Sequence, residues 1–279
     1  MKLENPLVAV VREPGDDLDR CALTHLDRAT IDVARAREQH RAYRDALTKL
    51  GAAVVTLPPL AGFPDAVFVE DVAVVLDEIA VVTNPGADSR GGETESIVPL
   101  LGAWRDVVRM ESDEHLDGGD VLRIGRRLYV GRSSRTDAAG VSALERLVAP
   151  HGYDVISVPV KGALHLKTAA TALDEETLLV NPEWIEAEAL HEDGVFGTYR
   201  ALTVPGSEPF AANTLALPGS VLVPEEHPRT ASMLREHGFR IETTPYSELA
   251  KAEAGLTCAS LVFEALPRDE NSDAPFGSR

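Results

Sequence analysis

A short polar cluster followed by two apolar runs recurs five times along this chain, and the repeat constrains the fold more than any other feature of the sequence. One anchor residue marks each copy: Asp71, Asp117, His165, Asn213 and Cys258. Successive anchors are 46, 48, 48 and 45 residues apart. Such regular spacing indicates five copies of one supersecondary unit.

Each copy predicts two strands, then a helix, then a third strand. Apolar runs flank turn-forming residues such as Gly125 and Gly219, as in hairpins. The clearest helix is predicted from about Thr30 to Leu50, with Thr30 as its cap and Gly51 as its stop. Weaker helices are predicted near 94–101, 138–148, 184–191 and 229–238, and a strand follows each of them.

A strand-strand-helix-strand unit cannot bury its apolar faces alone, so five of them are expected to close into a ring around a common axis. We therefore predict an α/β fold with a single domain over residues 1–266. The segment 267–279 is rich in Pro, Asp, Ser and Gly and is predicted to be a flexible C-terminal tail. In such a ring, the five anchors would all point into one central channel.

The charge and the cysteine content narrow the class of protein. With 27 basic and 45 acidic residues the net charge is −18, which disfavours a nucleic-acid or anionic-membrane partner and favours a cationic ligand. Two cysteines, Cys21 and Cys258, are too few for a disulfide scaffold.

The first apolar run is too short for a signal peptide or a membrane span, so we expect a cytoplasmic protein. The oligomeric state stays open, with a homodimer as one alternative.

The anchors differ in chemistry, which favours a site over a purely architectural role. A thiol becomes a nucleophile when a histidine favours the thiolate and a carboxylate orients the histidine. Cys258, His165 and Asp117 could supply these three parts. Taken alone, Cys258 could equally be an inert core residue and His165 a hydrogen-bonded core histidine.

Carboxylates interrupt an apolar stretch in the first copy. Glu70 and Asp71 lie within VFVEDVAVV, and Asp65 precedes them. Burying adjacent carboxylates is costly unless cations or hydrogen-bond donors meet them. A guanidinium group suits this need, because its planar, charged fork matches carboxylate oxygens in paired hydrogen bonds. The alternative is an internal salt bridge.

Six segments, in this order and at these spacings, carry a resemblance to a known family: FPDAVFVEDVAVV, HLDGGDVL, GRSSRTD, LHLKTAATA, AANTLALPG and GLTCASLVF. Together they resemble the dimethylarginine dimethylaminohydrolases (dimethylargininases) of the guanidino-group-modifying, or pentein, superfamily. The likeness runs from about Leu7 to Glu264. It implies a five-bladed, pseudo-symmetric α/β propeller that hydrolyses N-methylated arginines to citrulline and a methylamine, without a cofactor or metal.

The resemblance also implies a role for individual residues. Cys258 would be the nucleophile, His165 the general acid and base, and Asp117 the carboxylate that orients the histidine. Six further residues would bind the substrate. Asp65, Glu70 and Asp71 would hold the guanidinium, and Arg90 and Arg135 would hold the α-carboxylate. Leu23 would lie on a mobile lid.

The sequence departs from the family pattern at a few places. Thr168 stands where Ser is frequent, Asp137 replaces Asn, and Glu253-Ala254 replaces Asp-Gly before the GLTC segment. Two rival readings stay open: an arginine deiminase acting on unmethylated arginine, and a non-catalytic arginine-binding protein. The first usually carries an additional helical insertion, and the second would be expected to lack one of the three catalytic residues.

Overall fold

The fold is a ring of five three-stranded sheets, as the repeat predicted. A computed structural model describes residues 5–266, so the predicted tail at 267–279 lies outside the described residues. In chain order the strands are β1 (Leu7–Arg12), β2 (Ala52–Leu57), β3 (Ala73–Val75), β4 (Ile79–Val82), β5 (Asp106–Arg109), β6 (Val121–Ile124), β7 (Arg127–Arg132), β8 (Asp154–Pro159), β9 (Ala170–Ala172), β10 (Thr177–Val180), β11 (Arg200–Thr203), β12 (Leu215–Leu217), β13 (Ser220–Pro224), β14 (Ile241–Thr244) and β15 (Leu261–Glu264).

Every sheet has the same strand pattern. The first strand pairs antiparallel with the second, as a hairpin in four of the sheets, and the second pairs parallel with the third across a helical connection. The sheets are β3-β4-β5, β6-β7-β8, β9-β10-β11 and β12-β13-β14, with a fifth, β15-β1-β2, that joins the two ends of the chain. In that fifth sheet Leu7 pairs with Glu264 and Val10 with Leu261, which closes the ring. The prediction of a five-bladed α/β propeller is therefore confirmed.

The connecting helices are less uniform than the strands. They are α1 (Val33–Lys49), α2 (Val98–Leu101), α3 (Ala138–Val148), α4 (Leu166–Ala169), α5 (Ala187–Leu190), α6 (Pro228–Glu236) and α7 (Ser247–Ala250). The predicted cap at Thr30 is wrong: Asp32 caps α1 by accepting a hydrogen bond from the Arg35 backbone N–H at 3.0 Å. The predicted stop is in place, since Gly51 follows α1 with a φ of 98° that suits glycine.

The middle strands of the sheets are buried on both faces. In β1, Leu7, Ala9 and Val11 pack with the α1 side of the core, whereas Val8 and Val10 pack against the neighbouring sheet. This alternation follows from the two-residue period of a strand. Because neighbouring sheets share these clusters, the apolar core runs between them. None of the helices in residues 5–266 is both long and apolar enough to cross a membrane.

A short helical turn comes before the first strand of each sheet, and the five anchors lie in or beside these turns. The turns are Val69–Val72, Gly118–Asp120, α4, Pro209–Ala212 and Thr257–Ala259. Side chains tie each turn to the next around the axis; for example, Asp71 Oδ1 accepts from Gly119 N at 3.0 Å and Asn213 Oδ1 accepts from Thr257 N at 3.0 Å. The ring thus brings residues far apart in sequence to one axial site.

Candidate active site

One cavity at the axis gathers most of the side chains that the sequence singled out. Its lining includes six of the nine predicted site residues, Asp65, Asp71, Arg90, Arg135, His165 and Cys258, together with Ala22, Phe68, Leu164, Ala252, Glu253 and Ala254. The other three predicted residues, Leu23, Glu70 and Asp117, lie next to this lining and are described below.

His165 is held between two carboxylates. It immediately precedes α4, and its Nε2 lies 3.0 Å from Oδ2 of Asp117, while its Nδ1 lies 3.8 Å from Oδ1 of Asp71. A Cβ atom at Gly119 would lie 2.5 Å from Nδ1 of His165 and 2.7 Å from Oδ1 of Asp71. Only glycine therefore leaves room for the imidazole, which gives a physical reason for the second glycine of the HLDGGD segment.

These carboxylates control the protonation of His165. Burial alone would favour the neutral imidazole, but Asp71, the hydrogen bond to Asp117 and the charge of Asp120 together raise the pKa of His165 to about 9. The imidazolium is consequently the resting form at neutral pH. A protonated imidazole in a cavity is a proton donor, as a general acid must be.

Cys258 lies in the turn Thr257–Ala259 with 7% of its surface exposed. Burial raises the pKa of its thiol well above the usual range, and the nearby charges of Glu70 and Asp71 raise it further. In this environment the sulfur is therefore a thiol. A cation bound in the cavity would offset the two carboxylates and favour the thiolate.

Glu70 lines a second cavity, a channel of about 390 Å³ that the first strands of the five sheets also line. Its Oε1 accepts from Lys167 Nζ at 2.5 Å and its Oε2 accepts from Thr257 Oγ1 at 2.7 Å. Burial raises the pKa of Glu70, and the Lys167 ammonium offsets part of that effect. Lys167 had no predicted role in the site, although it lies two residues after His165.

Arg90 is buried and donates to groups of the protein. Its Nη1 donates to Asp71 at 2.5 Å, its Nε and Nη2 donate to Glu93, and Nη2 also donates to two backbone carbonyls. Burial raises the pKa of Glu93 to about 7, despite the neighbouring guanidinium. The Arg90 guanidinium therefore offsets much of the negative charge of Asp71. Glu93 is a second supporting residue, after Lys167, that the sequence did not predict.

Arg135 is half-buried and contacts the loop that covers the cavity. Its Nη2 donates to Thr24 Oγ1 at 3.0 Å. Asp65 accepts from the backbone N–H of Ala22 in the same loop, at 3.1 and 3.2 Å. Burial is the main cause that raises the pKa of Asp65. Leu23, predicted as a lid residue, is half-buried between these two loop contacts and packs on the adjoining core cluster.

Asp120 supports the histidine from a second layer. It is fully buried, accepts from the Leu166 backbone N–H at 2.8 Å, and accepts from the hydroxyls of Ser133 and Thr136. Burial raises the pKa of Asp120 to about 6. The residue was visible in the HLDGGD segment but carried no assigned role, because its partners lie in other parts of the chain.

A trio of acidic and imidazole groups has the spacing of a metal site. Ligand atoms of Asp71, Asp117 and His165 lie within 4.8 Å of one another. Each already has a protein partner: Asp71 pairs with Arg90, and Asp117 accepts from the Gly86 backbone N–H at 2.8 Å as well as facing His165. A divalent cation would have to compete with these contacts and with the imidazole proton.

The ring of five sheets, with a thiol, an imidazole between carboxylates and two arginines near its axis, defines a pentein of the five-bladed α/β propeller class. The sequence profile described as "N,N dimethylarginine dimethylhydrolase, eukaryotic" matches residues 22–204. The N(G),N(G)-dimethylarginine dimethylaminohydrolase of Streptomyces coelicolor is 38% identical, over 92% of this chain and 97% of the relative. The enzyme of that name from Pseudomonas aeruginosa is 33% identical, over 91% and 98%. The chain belongs to the dimethylarginine dimethylaminohydrolase family.

Solved structures agree with this assignment. A cysteine-to-serine variant of the Pseudomonas aeruginosa enzyme, complexed with citrulline, superposes with a TM-score of 0.86 at 32% identity, covering 91% of this chain and 98% of the other. The N-terminal domain of a cyanobacterial arginine dihydrolase has a TM-score of 0.82 at 21% identity, over 92% and 97%, which supports the fold alone.

Proposed function

We propose that this protein hydrolyses N-omega-methylated L-arginine to L-citrulline and a methylamine through a covalent intermediate on Cys258. The observation that carries the proposal is the single cavity lined by Cys258, His165, Asp65 and Asp71. Family membership supports the reaction, since the relatives are named for it and one of them was solved with citrulline.

In this proposal carboxylates hold the guanidinium, and Asp65 is the principal one. Its support is that, within residues 5–266, the hydrogen bonds to the Asp65 carboxylate come from the Ala22 backbone N–H, and that burial raises its pKa despite the charges of Arg90 and Arg135. Asp71 contributes less because Arg90 already pairs with it. Glu70 acts at longer range, through its charge near the sulfur.

The two arginines hold the substrate's α-carboxylate. Arg135 is the better candidate of the pair, because its recorded side-chain hydrogen bond is to a loop hydroxyl that a carboxylate could replace. Arg90 donates to Asp71, Glu93 and backbone carbonyls, so it shapes the cavity wall as much as it binds. Leu23, on the loop above, would cover the bound amino acid.

The reaction begins when the bound cation favours the Cys258 thiolate. The sulfur attacks the central guanidinium carbon and forms a tetrahedral adduct. His165, protonated at neutral pH, gives its proton to the departing amine as the C–N bond breaks, which leaves an S-alkylthiouronium on the sulfur. The neutral imidazole then takes a proton from water as the hydroxide adds to the same carbon. The C–S bond breaks and the hydroxyl proton passes to solvent, which releases citrulline and restores the Cys258 thiolate. Asp117 keeps the imidazole oriented in both steps.

The test is citrulline release from dimethylarginine, monomethylarginine and arginine, measured side by side. Turnover of the methylated substrates is expected, and Cys258→Ala should abolish it. Cys21→Ala is the matched control, because Cys21 is also a buried free cysteine but does not line the cavity. Activity that survives in Cys258→Ala, or release from arginine alone, would contradict the proposal.

The cytoplasmic location and the homodimer stay predictions. Sedimentation of the purified chain would test the second, because a dimer doubles the 30.0 kDa mass.

A further inference from the structure

Glu253 has an unusual backbone conformation. It has a φ of 59°, and within residues 5–266 it is the only non-glycine residue with a positive φ. Residues other than Gly, Asn and Asp rarely adopt this backbone conformation, because their Cβ atom comes too close to the carbonyl oxygen. A glutamate kept at such a position indicates that its side chain has a task that glycine could not perform.

The carboxylate of Glu253 is buried and binds the lid, which is the loop segment 22–26 beside the cavity. It accepts hydrogen bonds from three consecutive backbone N–H groups, those of Thr24, His25 and Leu26, with the Thr24 nitrogen at 2.9 Å from Oε2. Consecutive amides that converge on one anion form a concave binding site for it. Glu253 is 9% exposed, so water screens these charge-assisted bonds little.

Other contacts of the lid are few. Residues 21–32 form no helix or strand, and Thr24, His25 and the segment 27–30 are exposed. The recorded ties of the lid to the cavity rim, apart from Glu253, are the Ala22 N–H to Asp65 and the Arg135 bond to Thr24. Within the segment 22–26 only Leu23 packs on the core cluster, so the segment depends mainly on its hydrogen bonds for its position.

Glu253 also joins the lid to the loop that carries the nucleophile. It lines the catalytic cavity beside Ala252 and Ala254, and Cys258 follows five residues later. On its other side, Glu253 and Leu26 line an adjacent, mostly apolar cavity of about 120 Å³. The lid therefore spans the boundary between two open spaces, with the Glu253 carboxylate as its anchor there.

We propose that Glu253 is a positioning residue that holds the lid segment 22–26 closed over the catalytic cavity and couples the lid to the Cys258 loop. The inference rests on the proposed function only for its kinetic part. Without the carboxylate the lid opens, bound substrate escapes sooner, and the chemical groups below remain in place. The expected result is weaker substrate binding with a smaller effect on turnover.

Glu253→Gly is the decisive variant, because glycine accepts a φ of 59° without strain and removes only the side chain. Hydrogen exchange of the Thr24, His25 and Leu26 amides should quicken by about 10- to 100-fold, the range expected for loss of hydrogen bonds to a charged group. The KM for dimethylarginine should rise about tenfold, with kcat changing less than about threefold. Glu253→Asp, which keeps the charge, should restore much of the protection.

Glu208→Gln is the matched control. Glu208 is also a buried carboxylate that accepts from backbone N–H groups, those of Arg229 and Thr230 at the start of α6, and within residues 5–266 its side chain forms no hydrogen bond to the lid. Its change should leave lid exchange and KM at their native values. Unchanged protection of the three lid amides in Glu253→Gly, or an unchanged KM, would overturn the inference. Exchange can be measured even on a chain without turnover, so a failure here is distinguishable from a failure of the proposed reaction.

Discussion

Replacing Asp117 by Asn tests whether a buried carboxylate keeps His165 protonated. Asp117 is fully buried, and its Oδ2 lies 3.0 Å from Nε2 of His165, while its Oδ1 accepts from the Gly86 backbone N–H at 2.8 Å. An Asn side chain would keep its carbonyl toward Gly86 and present its NH₂ group to the imidazole. The charged imidazole would then face a donor instead of an acceptor.

The size of the effect follows from the contact that is lost. A hydrogen bond to a charged group contributes about 1.5–3 kcal/mol. Since one pKa unit corresponds to about 1.4 kcal/mol, the pKa of His165 should fall from about 9 to about 7–8. Asp71 and Asp120 remain in the variant, so the pKa should stay above that of a histidine buried without carboxylates.

The same shift predicts how stability depends on pH. The folded pKa of His165 lies above the ordinary value of 6.5, so its protonation stabilises the native state fully below about pH 6.5, and this contribution is lost as the pH rises through about 9. The difference between the folded pKa of about 9 and the ordinary pKa of 6.5 corresponds to about 3 kcal/mol of native-state stability. In Asp117→Asn the loss should occur at lower pH and be smaller.

Two measurements check the prediction. Titration of the His165 ring resonances by nuclear magnetic resonance gives the pKa directly. The alkaline limb of kcat/KM for citrulline release should move with it, and kcat should fall by about 10²- to 10⁴-fold through loss of the oriented acid. A pKa for His165 that stays near 9 in the variant would refute the argument that Asp117 supports the imidazolium.

Three further outcomes follow from the site. Gly119→Ala should lower kcat by about 100-fold, because its Cβ would lie 2.5 Å from the imidazole Nδ1, whereas Gly91→Ala, with nothing within 4 Å of its Cβ, should be silent in the same assay. Lys167→Met should lower the free energy of unfolding, measured in urea, by about 3 kcal/mol, because the Glu70 carboxylate is then buried without its cation. Adding Glu70→Gln should recover most of this stability, and a double variant as unstable as Lys167→Met would contradict this account. Alkylation of Cys258 by iodoacetamide should be slow at pH 7 and should accelerate as the pH rises, because burial raises the pKa of the thiol; a pH-independent rate would contradict it.

The repeat in the sequence was sufficient to predict the architecture. Spacings of 45 to 48 residues and alternating apolar runs are local properties, and they indicated five units, the order of strands and helices within them, and closure into a ring. Helix ends were less predictable. Asp32 rather than Thr30 caps α1, because the choice between two nearby polar residues depends on where the chain turns into the helix.

The pairing of charges depended on the folded chain. The sequence supplied Asp65, Glu70, Asp71, Arg90 and Arg135 as one set of substrate contacts, yet the structure pairs some of them with each other and with residues that had no assigned role. Glu70 meets Lys167 across 97 positions, and Thr24 meets Glu253 across 229. The repeat spacing gives the number of units, and the alternation of side chains along each strand gives the face that each unit buries. Which buried charge meets which partner depends on distances of a few ångströms between distant segments, and those distances exist only once the ring has closed.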